Sequence, residues 1–450
     1  MPAQTLPKSR SLLPSLPMLA ALSISALFAP IDAAKAQSIY VKGRGEAPAC
    51  SNGKMKEILA RATKDDATVG LDCSPRLNGQ AKITKRLIFR GDQSNGVTLD
   101  CQGGTIDGGK GTVNAGKDMI AIFSKKQKDG SWRVPSNIQV KNCKINGSVR
   151  IWGMDQNGEG KTLRASSQQQ GHTKRARDAA PRHVWFDKVT ILGTGRIPLY
   201  ISPGTTHFSL TNSRIAGSST STAIYLDAES ANNLFINNRI ETNTKVRELV
   251  AVDGSSNNRF ISNQFSSLNH GGIYVYRNCG EGGTVRHATP SNNQFINNSF
   301  YYNKFKGFNL NIEKLGDFDL SFDVPAIWIA SRNGGKSYCN ADNGFPFGSS
   351  ANNNDLARNN VIAQNQIYKL SPQQMIVIND QPNITYDNVT VNDRINRPAG
   401  CYIEDGQAGY FIESKTQMEA ALKQPKPGCG RQLYTCSNGL VSAVPRSCRP

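Results

Sequence analysis

A right-handed parallel β-helix is the fold class that three features of this 450-residue sequence predict. The first is a phrase that recurs as Asn232-Asn233-Leu234-Phe235-Ile236-Asn237-Asn238-Arg239-Ile240, as Asn257-Asn258-Arg259-Phe260-Ile261-Ser262-Asn263-Gln264-Phe265 and as Asn292-Asn293-Gln294-Phe295-Ile296-Asn297-Asn298-Ser299-Phe300. The copies start 25 and 35 residues apart, and a degraded fourth runs from Asn359 to Ile367. A period in this range marks stacked supersecondary units, not one closed globule. The second feature is alternation: Phe235, Phe260 and Phe295 are flanked by polar neighbours, as in a half-buried strand. The third is the placement of Asn pairs where the chain must turn. Asn tolerates a left-handed backbone, and stacked Asn side chains can bond from one turn to the next. Each pair is chained to apolar residues in the same register, which argues against an Asn-rich disordered tract. The Leu ladder of leucine-rich repeats is absent.

The elements follow in chain order. Lys8 and Arg10 precede an apolar run from Leu12 to Phe28, and Ala34-Lys35-Ala36 supplies small residues for cleavage. Residues 1–36 therefore read as a secretory signal peptide, not a membrane span. No other stretch is apolar enough to cross a bilayer, so the chain is expected to be exported, to the periplasm or outside the cell. Residues 37–80 are expected to cap the coil, with helical spacing at Met55, Ile58, Leu59 and Ala62. Open solenoid ends expose unpaired strand edges and apolar core, and need such a lid. The β-helix is assigned to residues 81–391, starting with strands at Ile83 to Phe89 and Val97 to Ile106. Residues 392–450 form a second, Cys-rich cap with an amphipathic segment from Thr416 to Leu422. Ten cysteines remain after cleavage, an even count that in an exported chain favours disulfides over a zinc site, for which no CxxC spacing exists.

The formal net charge of +19 attracts anionic partners without bearing on fold. An exported Asn-rich solenoid without an aromatic and basic reading module is a poor nucleic-acid binder. Acidic polysaccharide is the expected partner, although basic charge can also serve solubility alone. The insert from Lys161 to His183 carries eight Arg, Lys and His residues among polar filler and is read as a mobile, solvated charge run.

The rungs can be aligned from the sequence. Ile224-Tyr225-Leu226-Asp227 precedes the first repeat phrase, and Val250-Ala251-Val252-Asp253, Ile273-Tyr274-Val275-Tyr276, Ile327-Trp328-Ile329-Ala330 and Ile376-Val377-Ile378-Asn379 each follow one. Period-two alternation points their aliphatic residues into the core. One outer stripe then carries Tyr225, Tyr274 and Trp328, and the next carries Asp227, Asp253, Tyr276 and Asn379. Asp227 and Asp253 are expected to project side by side from an exposed sheet, on strands about 4.8 Å apart. Like charges that close raise one pKa or recruit a cation, so Ca²⁺ is a candidate ligand of the pair. Ending strands and bonding turn amides is the structural alternative for both. Glu229 and Glu248 lie at the strand ends, and Arg277 follows Tyr276. Loops at Arg277 to Pro290, Lys304 to Pro325 and Ser331 to Asn354 leave one edge and are expected to wall a groove. Cys279 and Cys339 fall in two of them and are expected to pair. Arg286 and His287 bring a fixed cation and a titratable imidazole to the first loop. Arg332 lies in the third loop.

This arrangement resembles the right-handed parallel β-helix superfamily of carbohydrate-active proteins, which includes pectate lyases, polygalacturonases, alginate epimerases and phage tailspikes. The likeness covers roughly Ala81 to Val391 and rests on repeat grammar, which speaks for fold and not for reaction. Asn269-His270-Gly271-Gly272 matches the polygalacturonase Gly-His-Gly only in part, with no Asp-Asp before it, and the Asp-Pro-His of alginate epimerases is missing. Three functions stay open. A lyase or epimerase on uronate polymer would use Tyr276, Arg277 and His287 as base and neutraliser, with Asp227 and Asp253 holding Ca²⁺. A glycoside hydrolase would use Asp227 with Asp253 or Glu229. A binding or envelope-structural protein would hold polymer without turnover. In each, Tyr225, Tyr274, Trp328, Arg286, Arg332 and Glu229 are the expected sugar contacts. The charge excess favours an acidic substrate and hence the lyase class.

Overall fold

The computed structural model describes residues 45–278, 281–302, 324–329 and 357–369 throughout, with shorter stretches between 308 and 442. Three parallel sheets wrap one apolar core. Among the described residues they hold ten, eleven and nine strands, and are called sheets 1, 2 and 3 in that order. Successive strands of a sheet come from successive turns of the chain. In sheet 1 these include Leu199–Ile201, Ile224–Leu226, Val250–Asp253, Ile273–Tyr276, Ile327–Ile329 and Ile376–Ile378. The register lines up Ile224, Val250, Ile273, Ile327 and Ile376, and beside them Leu226, Val252, Val275, Ile329 and Ile378. These are the residues that alternation assigns to the interior. All but the last of each line are fully buried, and Ile376 and Ile378 pack against the same core.

The Asn pairs divide their labour. The first member supplies the turn: Asn232, Asn257, Asn292 and Asn359 have φ of 58°, 57°, 61° and 56°, a region that other side chains enter only under strain. The second member turns inward and bonds to the next rung. Asn258 Oδ1 accepts from the backbone N and Nδ2 of Asn233 at 3.1 and 2.9 Å, and Asn293 Oδ1 accepts the same pair from Asn258 at 2.9 and 2.9 Å. The ladder continues through Asn360 to Asn383. A parallel ladder runs through Asn238, Asn263, Asn298, Asn365 and Asn388 at the other end of the sheet 3 strands. Buried polar groups survive only when bonded, and a one-residue slip would break every bond in both ladders. Between them Phe235, Phe260 and Phe295 stack with centroids 4.5 and 5.5 Å apart. The phrase thus sets both the turns and the register.

The N-terminal helix spans Asn52–Leu59, three residues earlier than its apolar spacing predicts, because Ser51 caps it by accepting from Lys54 N at 3.2 Å and Ala60 is already extended. It sends Ile58 into the core. Disulfides Cys50–Cys73 and Cys101–Cys143 tie early turns together. The expected Cys279–Cys339 pairing, residues 1–36, Arg332, Asn379 and the segment Thr416 to Leu422 lie outside the described residues. Of the C-terminal tail, only the strand pairs Gly400–Glu404 with Gln407–Phe411 and Tyr434–Thr435 with Val441–Ser442 are described. Among the described residues no helix is long and apolar enough to cross a membrane.

Candidate functional site

On the outer face of sheet 1 the register sets Tyr200, Tyr225, Ala251, Tyr274 and Trp328 in one column. The adjacent column carries Asp227, Asp253 and Tyr276, with Asp253 and Tyr276 directly paired. Both columns match the alternation argument. Their exposure does not: Asp227 and Asp253 are 1% and 0% accessible. The open carboxylate groove expected from the sequence is covered.

The cover is the basic insert, which is folded and not a solvated charge run. After Trp152 the chain leaves sheet 1 and forms the short helices Lys161–Ser167 and His172–Asp178 before returning to sheet 3 at Arg182. Leu163, Ala176, Ala179 and Ala180 face inward and are buried, and Arg177 Nε donates to the Glu229 carbonyl at 2.8 Å. Arg175 is spent inside the insert, on the carbonyls of Ser166, Gln169 and Gln170. Gly158 rests on the carboxylate cluster itself. A Cβ there would lie 2.7 Å from Arg286 Nη2 and 3.1 Å from Asp227 Oδ1, so only glycine admits this contact.

Beneath it lies a bonded network. Tyr200 donates its hydroxyl to Asp227 Oδ2 at 2.5 Å, and Tyr225 to Asp253 Oδ2 at 2.6 Å. The two phenol rings stack at 5.1 Å. Asp227 Oδ1 accepts from Arg286 Nη1 at 2.5 Å and Ala228 N at 2.8 Å. Asp253 accepts from Asn278 N at 2.7 Å and Nδ2 at 2.8 Å. Arg286 Nε is buried without a hydrogen-bond partner. Burial pushes the Asp253 carboxyl up and Asp227 pushes it further, against the pull of Arg286. Burial weakens the Arg286 cation, but Asp227 and Asp253 more than offset this and hold it charged. Burial and the neighbouring aspartates push both tyrosine hydroxyls well above their ordinary range.

A second group lies across the column. Tyr276, 1% accessible, donates to Glu248 Oε1 at 3.1 Å and accepts from Arg247 Nη2 at 2.5 Å, while Arg247 also pairs with Glu248 at 2.9 Å. Glu229 points away from the pair. Its carboxylate accepts from Thr173 of the insert and from His287 N at 2.7 Å. His287 does not face the carboxylates. Its Nε2 donates to Ser167 O at 2.7 Å and its ring meets His172 edge-on at 5.2 Å, so it ties its loop to the insert. Burial lowers the His172 pKa to about 4.

Of the residues expected at the site, Asp227, Asp253, Tyr225, Tyr276 and Arg286 come together. Arg277 is buried at 3%, and Tyr274 and Trp328 form a T-shaped pair at 5.0 Å in the outer column. Four members escaped the sequence reading: Tyr200, Asn278, Arg247 and Gly158. Tyr200 was detectable, since Leu199-Tyr200-Ile201 repeats the apolar-Tyr-apolar triad of Ile224-Tyr225-Leu226. It lacks the Asn phrase that located the other rungs. The carboxylate pair does not fit the expected Ca²⁺. Each aspartate already accepts three hydrogen bonds, and Arg286 sits where a cation would. Among the described residues no cluster of three or more His, Cys, Asp or Glu side chains could hold a metal ion.

The three parallel sheets are stacked as in a β-helix solenoid. Residues 179–312 match the family model described as a right handed beta helix region. No curated protein matches the sequence. Solved structures with similarity include an alginate lyase from Paenibacillus sp. str. FPU-7, at 12% identity and TM-score 0.33, covering 68% of this chain and 88% of that one. The surface adhesin PfbA of Streptococcus pneumoniae aligns at 12% identity and TM-score 0.34, over 74% and 90% of the two chains. The A-module of the Azotobacter vinelandii mannuronan C-5 epimerase AlgE6 aligns at 10% identity and TM-score 0.30, over 79% and 98%.

Proposed function

We propose that this chain is an exported β-helix protein acting on acidic, uronate-containing polysaccharide, most simply as a lyase or epimerase. The supporting observation is the buried cluster of Asp227, Asp253, Tyr200, Tyr225 and Arg286 on the outer face of a sheet whose interior needs none of them. Buried charges cost stability unless fully paired, and perturbed groups concentrate at reactive centres. Arg286 is suited to neutralise a uronate carboxylate, which acidifies the adjacent C5–H bond. The base is Tyr276, whose hydroxyl accepts from Arg247 and donates to Glu248, so its own proton can pass to Glu248 as the oxygen takes up another. In elimination the C5–H and C4–O bonds break, a C4–C5 double bond forms, the C5 proton passes to the Tyr276 oxygen as the hydroxyl proton moves on to Glu248, and the departing sugar oxygen takes up a proton from water. An epimerase instead returns a proton to the opposite face of C5. Arg286 supplies the countercharge that the sequence reading gave to Ca²⁺, so chelation is expected to leave turnover unchanged. Access requires the insert to lift from Gly158 to His172.

One observation favours hydrolysis as a second reading. Asp227 is ion-paired with Arg286 while Asp253 is pushed toward the protonated form, and a nucleophile-and-acid pair on adjacent rungs about 5 Å apart suits a retaining glycosidase. Incubation with a panel of uronate polymers separates the readings. Ultraviolet absorbance from unsaturated ends reports a lyase, new reducing ends without absorbance report a hydrolase, and changed sugar composition by NMR reports an epimerase. Loss of every product signal on all polymers removes the catalytic reading and leaves binding alone.

A further inference from the structure

We propose that the outer face of sheet 1 on the N-terminal side of the covered cluster is a binding surface for acidic polysaccharide, separate from the buried carboxylates. The inference rests on the acidic-polymer reading above and gives it a location. In the same outer column as Asp227, earlier rungs carry Arg90, Phe123 and Trp152 in direct register. Phe123 and Trp152 stack at 4.4 Å with planes 8° apart, and the Arg90 guanidinium sits 5.1 Å above the Phe123 ring. In the neighbouring column Arg150 lies 4.1 Å above the Tyr200 ring. Neither aromatic at the head of the stack is in the core, and Arg90 is exposed.

A hairpin raises one wall beside this stack. Its strands, Lys125–Lys126 and Trp132–Arg133, start two residues after Phe123. It packs against Gly91, where a Cβ would lie 3.4 Å from that of Arg133 and 3.6 Å from that of Lys125. Lys125 and Lys126 are exposed, and Lys126 Nζ stands 6.0 Å from the Trp132 ring. The local acids are already engaged: Asp92 pairs with Arg133 at 3.0 Å, and Asp129 accepts from Ser131 within the hairpin turn. The face therefore offers aromatic rings and unpaid cations together. Sugar rings present apolar C–H faces to aromatics, and uronate carboxylates pair with Arg and Lys. Both needs are met on one strip that runs along the helix axis. Trp152, Ser202 and Asp227 follow one another in the column, which sets Trp152 two strand spacings, about 10 Å, from Asp227. A polymer lying along the axis on this strip reaches the edge of the insert.

The test uses the full mature chain in affinity electrophoresis through gels containing alginate or polygalacturonate, at low and high salt. Wild type is expected to be retarded. The variant Arg90→Gln/Lys126→Gln/Trp132→Ala is expected to lose about tenfold in apparent affinity, the equivalent of about 1.4 kcal/mol, and to show a weaker salt dependence. A control, Lys144→Gln/Lys245→Gln, removes two exposed charges elsewhere and is expected to bind nearly as wild type. Equal losses in both variants would mean diffuse charge attraction and would overturn the proposal. So would unchanged binding in the triple variant, with Arg90→Gln alone checking that misfolding is not the cause of any loss. Retention that depends on the strip, without any turnover, removes the catalytic reading and leaves this one standing. No retention of wild type on any uronate polymer removes both.

Discussion

Replacing Arg286 with Met tests whether the outer face of sheet 1 hides a charge-balanced centre. Arg286 is 3% accessible, and its ion pair with Asp227 at 2.5 Å also offsets Asp253 on the adjacent rung. Without it two carboxylates share a covered site with only hydroxyl and amide donors. Removing one partner of a buried pair costs about 3–5 kcal/mol. In a solenoid that loss is local, because each turn contacts only its neighbours. Hydrogen exchange read by mass spectrometry should therefore show peptides spanning 224–230 and 250–256 opening about a hundred to several thousand times more often, with little change at Ile83 to Ile106. The deficit has a defined pH sign. The carboxyl of Asp253 is already raised above 3.8 by burial, and losing the cation raises it further. The folded variant then binds more protons than the unfolded chain, so its stability rises as pH falls toward 3.8. The deficit is largest near neutrality. The double variant Arg286→Met/Asp227→Asn should recover at least half of the loss, since it removes the stranded charge. Unchanged exchange in Arg286→Met, or no recovery in the double variant, would refute the account of a charge-balanced cluster.

Further outcomes follow from other elements. His172, with its pKa lowered to about 4, favours the neutral form in the folded insert. Stability of the insert is then complete above the ordinary value of 6.5 and drains away as pH falls from there toward about 4; limited proteolysis within 161–178 should accelerate over that window, and His172→Phe should flatten the profile. Asp253→Asn should abolish hydrolysis, in which it is the acid, and leave elimination through Tyr276 and Arg286 in place, while changing stability by only about 1 kcal/mol, because its amide oxygen keeps the bond from Asn278 N and the Tyr225 hydroxyl and Asn278 side-chain amide can turn to accept from its NH2; full hydrolytic activity would take Asp253 out of that mechanism. Asn263→Ala breaks four ladder bonds, to Asn298 Oδ1 and the Phe235 carbonyl and from the N and Nδ2 of Asn238. It strands buried groups costing about 1–3 kcal/mol each, so urea unfolding followed by Tyr and Trp fluorescence should begin at markedly lower denaturant. Reducing Cys101–Cys143, separated by 42 residues, should cost about 4 kcal/mol on the chain-entropy account, visible as a lowered melting temperature in Cys101→Ser/Cys143→Ser.

The solenoid and the identity of its inner and outer lines were legible because they depend on local rules. Backbone tolerance for positive φ belongs to the first Asn of each pair, and strand alternation has a period of two, so Ile224, Val250, Ile273 and Ile327 could be aligned without coordinates. Stacking identical phrases then left little choice of register. What lay above that outer face was not local. The insert closes over Asp227 through Gly158, His172, Thr173 and Arg177, and its contacts reach Glu229, Arg286 and His287, far away in sequence. Charge and exposure are decided by such long-range packing, and composition says only that the insert is basic. Sequence alone therefore determined which residues share a column, whereas only the tertiary structure decided that the column is covered, that Arg286 and not His287 faces the carboxylates, and that each carboxylate has its own tyrosine. The physical reason is that periodicity orders neighbours along a strand, while desolvation depends on whatever distant segment comes to rest on it.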